Sequence, residues 1–215
     1  TLIRRLLIIG LPMGLQFSLT AVGSIVLQTA VNGLGSAAVA AMTAGGKVSL
    51  ILTQPMESIG LTMATYCGQN LGAGKIKRIH KGIRASLLIT MAYAVLACLA
   101  AIFAGGAISR LFLNGDNIGG ILEQVKFFLL VNGLFYPFLV LIFIFRNSLQ
   151  GLGSSLPAMT AGIFELVGRS VVAFCLVGKY GFPAVCFANP AAWVAADILL
   201  LSLWTIVIRR LNRTY

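Results

Sequence analysis

A chain that must hide its backbone from lipid six times has few folds open to it. Apolar segments run over about 6–31, 37–66, 83–105, 121–145, 156–177 and 188–208. Each is near the ~20 residues that a bilayer-crossing helix requires. Hydrocarbon offers no water to the peptide groups, so each segment is expected to be helical. The expected fold is all-α: a polytopic membrane protein of six transmembrane helices forming a single lobe over residues 1–215. Composition agrees, because 59% hydrophobic and only 10% charged residues lie outside the range of an ordinary soluble domain.

The charges are few but ordered. Five basic residues (Lys75, Lys77, Arg78, Lys81 and Arg84) crowd around His80 between the second and third segments. Arg4, Arg5, Arg146, Arg209, Arg210 and Arg213 fall on the same side by the alternation of segments, against only Arg110, Lys126 and Lys179 on the other. Basic loops stay in the cytoplasm, which places both ends of this segment there, in a multi-pass protein of a bacterial-type plasma membrane. The formal charge of +11 does not point to nucleic acid, since the basic residues sit in short loops rather than on one polar face with aromatics between. Arg4-Arg5 before an apolar run mimics a signal peptide, but the run is too long and lacks a small-residue cleavage site. A first residue of Thr1 raises the expectation that the true start lies upstream.

Within the spans, polar residues concentrate. Gln16, Thr20, Ser24, Gln28 and Asn32 recur at i+4 through the first segment, a slowly winding stripe on one helix face. Such a stripe either glues helices together or lines an aqueous cavity, and five members favour the cavity. Gln54, with Asn132 and Tyr136 at i, i+4, extends the set expected to contact cargo, Tyr136 by offering a π face to a cation. Charges inside a span are costly and face an interior or water. Glu57 and the i, i+4 pair Glu165 and Arg169 are therefore candidates for ion coupling or gating, with Asp197 as a third acid. Lys47 is expected to reach an interface by snorkelling, and the third segment to face lipid. Asn114-Gly115-Asp116 marks a turn.

Other chemistry lacks its residues. The sequence has no GxxxxGK[ST], HExxH or GxSxG, so no enzyme is expected. Cys67, Cys98, Cys175 and Cys186 show no metal spacing and imply no disulfide framework. No cofactor is expected beyond a coupling Na⁺ or H⁺. Asn189-Pro190-Ala191 evokes an aquaporin-like channel, but the second copy which that fold needs is missing. A short echo, GLGS then MTAG, occurs from Gly33 and again from Gly151, three segments apart, in the manner of the inverted repeats of transporters.

Assembled, these residues resemble one family. Leu11-Pro12-Met13, NGLGS from Asn32, QPMESIGLTMATYCGQNLGAG from Gln54, LQGLG from Leu149 and FELVGR from Phe164 are similar to the C-terminal six-helix half of a multidrug and toxic compound extrusion (MATE) transporter. The likeness covers nearly all of the chain. It implies an antiporter of about twelve helices in two lobes, of which the N-terminal lobe would precede Thr1. Such transporters export organic, often cationic drugs or toxins by alternating access against Na⁺ or H⁺. The NorM-like branch places acids at positions aligned with Thr20 and Leu139, both uncharged here; the chain looks closer to the DinF-like branch, whose coupling acid lies in the first lobe. A lipid or glycolipid flippase of the same superfamily is the alternative.

Overall fold

The computed structural model describes residues 2–113 and 118–214, so the turn signal Asn114-Gly115-Asp116 lies outside the described residues. Nine α-helices occupy them, among which α1 (Leu2–Asn32), α2 (Ser36–Gly72) and α3 (Ile76–Phe103) form the first half. A short α4 (Gly105–Ser109) and one 3-10 turn (Arg110–Phe112) follow. The second half comprises α5 (Ile118–Leu134), α6 (Tyr136–Gly151), α7 (Ser155–Val171), α8 (Val177–Tyr180) and α9 (Phe182–Thr214), with a π-helical turn at Val172–Leu176 between α7 and α8. Five helical stretches are long and apolar enough to cross a membrane, and α5 with α6, counted as one bent span, makes six.

The bent span departs from the straight helix expected over 121–145. It breaks at Phe135 and turns by 51° before running on to Gly151. The cause is local. Pro137 falls in the first turn of α6, where its missing N–H is harmless, but in an unbroken helix it would leave the Gly133 carbonyl without its bond and set its ring against that carbonyl. The break carries the helix six residues past the expected end, and Arg146 stays inside the bundle.

Glycines set the turns. Gly35, Gly74, Gly153 and Gly181 hold φ of +96°, +69°, +79° and +63°, a region other residues rarely enter. The ends of α2 and α6 match bond for bond. Lys75 N–H donates to Asn70 O and Gly74 N–H to Leu71 O; Ser154 N–H donates to Leu149 O and Gly153 N–H to Gln150 O. This paired closure around a left-handed glycine is the Schellman stop. The two GLGS copies lie in turns after the first and the fourth span, the opening turns of the two three-span halves.

Two apolar clusters fill the bundle. One joins the end of α1, the start of α2, α5 and the start of α9; the other joins the end of α2 with α3, α6 and the middle of α9. The outer surface is apolar as well. On α3, Leu88, Ile89, Val95, Leu96 and Phe103 all point outward, the arrangement of a helix with lipid as its solvent. Lys47 reaches out from α2 to lie over the Phe112 ring, 5.0 Å from its centre.

Candidate functional site

Between the two apolar clusters lies a cavity of about 420 Å³ walled by α1, α2, α5, α6, α7 and α9. Small residues bring two of its walls close. A Cβ on Gly23 would sit 3.3 Å from Leu166 Cα, and one on Gly162 would sit 3.2 Å from Gln16. That closeness lets the long side chains of α7 reach across to α1 rather than prop it away.

Charged groups form the α6–α7 wall. Glu165 accepts from Arg146 Nη1 through Oε1 and from Arg169 Nη2 through Oε2, both at 3.4 Å. All three side chains are more than nine-tenths buried. Arg169 also donates Nε to Asn189 Oδ1 at 3.2 Å and Nη1 to the Thr20 carbonyl at 3.3 Å. The Gln16 amide lies 2.7 Å from that of Gln150 and 3.1 and 3.3 Å from Nε and Nη1 of Arg146. With its oxygen turned to Arg146, Gln16 accepts from both nitrogens of the guanidinium edge. Such a network tolerates burial only because each charge has fixed partners.

The α2 wall is less engaged. Gly46, Ser49, Thr53 and Glu57 line the cavity, and among the described residues the one bond to the Glu57 carboxylate is from Gln54 Nε2, at 3.4 Å. No salt bridge within 4 Å joins Glu57 to a guanidinium among the described residues.

The residues expected to meet cargo therefore divide. Gln16, Thr20 and Ser24 line the cavity together with Glu57, Glu165 and Arg169. Gln28 and Gln54 do not; Gln28 donates instead to Asn32 Oδ1 at 3.1 Å, because a stripe repeating every four residues drifts round a helix of 3.6 residues per turn. Asn132 and Tyr136, also expected to meet cargo, lie outside the lining. Asn132 is held by the carbonyls of Phe128 and Cys186 and by Asn189. Tyr136 is bonded to Ser49 at 3.0 Å and its ring rests against Trp193, so it braces the wall from behind. Asp197 is buried on α9 with both carboxylate oxygens unpartnered and lies outside the lining.

Arg146 and Gln150 were not anticipated in the site. Arg146 is removed from the cytoplasmic basic count, since it pairs with Glu165 inside the bundle. The available signal was the i, i+4 spacing of Arg146 and Gln150 on a continuing helix. Thr20 and Leu139, aligned with the acids of the NorM-like branch, both border the cavity and bring it no charge. Asn189-Pro190-Ala191 lies within the continuous helix α9, where Asn189 serves Arg169 and Asn132.

Comparison with known proteins is consistent across sequence and fold. The model of the MatE family matches residues 12–175. A probable multidrug resistance protein of Bacillus subtilis (strain 168), YpnP, is 24% identical over 157 residues, which are 73% of this chain and 35% of that protein. An FAD transporter of Shewanella oneidensis is 23% identical over 159 residues, 74% of this chain and 34% of that protein. A crystal structure of MATE in complex with MaL6 superimposes with a TM-score of 0.86 at 15% identity, covering 98% of this chain and 48% of that one. The chain thus spans about half the length of the solved transporter, and its matched part about a third of each curated relative.

Proposed function

We propose, from the premise that this chain belongs to the MatE family, that it forms one six-helix lobe of a cation-coupled exporter whose cargo passes through the cavity beside α1. Members of the family are transporters and not enzymes, and the protein is a multi-pass membrane protein. The observation that carries the reading is the wall itself. Gln16, Thr20 and Ser24 of one helix and Ser49, Thr53 and Glu57 of another border a shared space inside an otherwise apolar bundle.

The cargo is proposed to be small organic compounds, drugs or toxins among them, and the coupling ion Na⁺ or H⁺. An ion shifts the balance between inward- and outward-facing packings by its difference in affinity for the two. Glu57 suits the coupling role better than Glu165, because its carboxylate is held by one long amide bond whereas both oxygens of Glu165 are taken by guanidiniums. Glu165 and Arg169 are then positioning residues that lock α7 to α1 and α6. The N-terminal lobe is proposed to close the far side of the cavity. Both ends of this segment are proposed to face the cytoplasm, on the strength of the Lys75–Arg84 cluster.

Efflux of ethidium from drug-sensitive bacteria producing the intact transporter tests the reading. Filling the cavity by Ser24→Leu or Thr53→Phe is expected to lower efflux at least tenfold at equal membrane abundance. Parental efflux in both variants would contradict passage through this space.

A further inference from the structure

The charged wall is unbalanced. Two guanidiniums share one carboxylate, which leaves one positive charge in the network over, and among the described residues neither Glu57 nor Asp197 is bound to an arginine to offset it. The imbalance has an address. Arg169 commits Nε, Nη1 and Nη2 to Asn189, Thr20 and Glu165. Arg146 directs Nη1 at Glu165 and its Nε–Nη1 edge at Gln16, while Nη2 donates to no acceptor among the described residues. Nor is Nη2 among the buried atoms left without a partner, and Arg146 borders the cavity. A guanidinium carries five N–H donors in a fixed fork, and such forks bind carboxylate or phosphate oxygens in preference to other partners.

We propose that Arg146, buffered by Glu165 and oriented by Gln16, is a docking group for an oxyanion of the transported compound, a carboxylate or a phosphate. This deepens the export reading and rests on it, naming one chemical feature of the cargo. Glu165 sets the strength of the site: it cancels half of the buried charge, so the anion is held without being trapped. Arg169, each of whose three nitrogens already donates to the protein and whose two remaining N–H groups sit on different nitrogens, fixes Glu165 and offers no free fork to cargo. Across the cavity Glu57 remains open to a cationic portion of the same molecule, so a carboxylate that enters on a cationic dye is not excluded by the opposite wall.

Two dyes separate the possibilities. Rhodamine B carries a free carboxylate; its ethyl ester keeps the same cationic ring system and lacks only that charge. Their binding to the intact transporter in phosphatidylcholine nanodiscs is read by fluorescence anisotropy, with empty discs subtracted. The acid is expected to bind at least tenfold more tightly than the ester. Arg146→Gln is expected to bring the two to parity, and Arg146→Lys, which keeps the charge without the fork, to retain part of the preference. Equal affinities in the parent, or a preference unchanged in Arg146→Gln or, where that variant does not fold, in Arg146→Lys, would overturn the site. Phosphatidylglycerol added to the discs distinguishes the source of the oxyanion: displacement of rhodamine B assigns a lipid headgroup and undisturbed binding a soluble compound, and either result upholds the site. Cellular efflux of the two dyes keeps the readings apart. Export without preference for the acid defeats the anion site alone, whereas the predicted binding without export defeats the export reading alone.

Discussion

Helix α6 meets its neighbours by opposite means. Toward α2, glycines strip away side chains until backbones touch: a Cβ on Gly60 would fall 2.8 Å from the Phe143 carbonyl, one on Gly68 would fall 3.2 Å from the Gly151 carbonyl, and one on Gly151 would overlap the backbone of Ala64. Toward α1 and α7, the same helix sends out Arg146 and Gln150, which engage Glu165 and Gln16 beside an open cavity. In lipid the hydrophobic effect does not press helices together, so close van der Waals packing holds the first seam and polar bonds hold the second. The glycine seam is suited to a fixed joint. The charged seam has partners that can be exchanged for an ion or a cargo group, which is what a moving wall requires.

Substitutions break the contrast in order of size. Glu165→Gln leaves two buried guanidiniums without a counter-charge, a loss of about 3–5 kcal/mol, and is expected to lower both the detergent melting temperature and drug resistance most. Gly151→Ala should cost about 1–3 kcal/mol by overpacking against Ala64. Efflux per folded molecule is expected to survive, because the cavity is on the other side of α6; lost efflux at normal stability would show that the glycine seam moves too. Asp197→Asn removes a carboxylate that bonds to nothing, so resistance should stay nearer to the parent than in Glu165→Gln. Equal resistance in both mutants and parent would remove Glu165 from transport. Glu123→Gln deletes a well-exposed pair with Lys126, and a change of under about 1 kcal/mol is expected from thermal unfolding.

These seams were unequally legible in the sequence. Spans show as runs of apolar residues: 6–31, 37–66 and 188–208 fall within single helices, 83–105 overruns α3 by two residues, and 156–177 covers α7, the π-helical turn and the start of α8. The Glu165–Arg169 pair is readable because i, i+4 neighbours share a helix face. By sequence Arg146 falls on the cytoplasmic side, since the polar Asn147, Ser148 and Gln150 follow it, whereas a helix deflected at Phe135 keeps them inside. Tyr136 and Asn132 are polar at helical spacing just as Gln16 and Thr20 are, and spacing along one helix cannot tell which stripe faces a space and which faces another helix. The GQNLGA block is the most specific part of the family likeness, yet its work, with that of LQGLG, is structural: the two stretches build matching helix stops and bring Gly68 against Gly151.

Water in the cavity is the most direct thing to measure. With Cys67, Cys98, Cys175 and Cys186 replaced, single cysteines at Thr20, Ser24 and Thr53 of the intact transporter are exposed to a small, charged methanethiosulfonate reagent in intact membranes. A thiol reacts as thiolate, which forms only where water reaches it. An open polar wall predicts labelling at all three positions, suppressed by a bound dye, and none at Ile25, an apolar residue on the outer surface of α1. No labelling at Thr20, Ser24 and Thr53, or equal labelling at Ile25, would mean that these helices enclose no aqueous path.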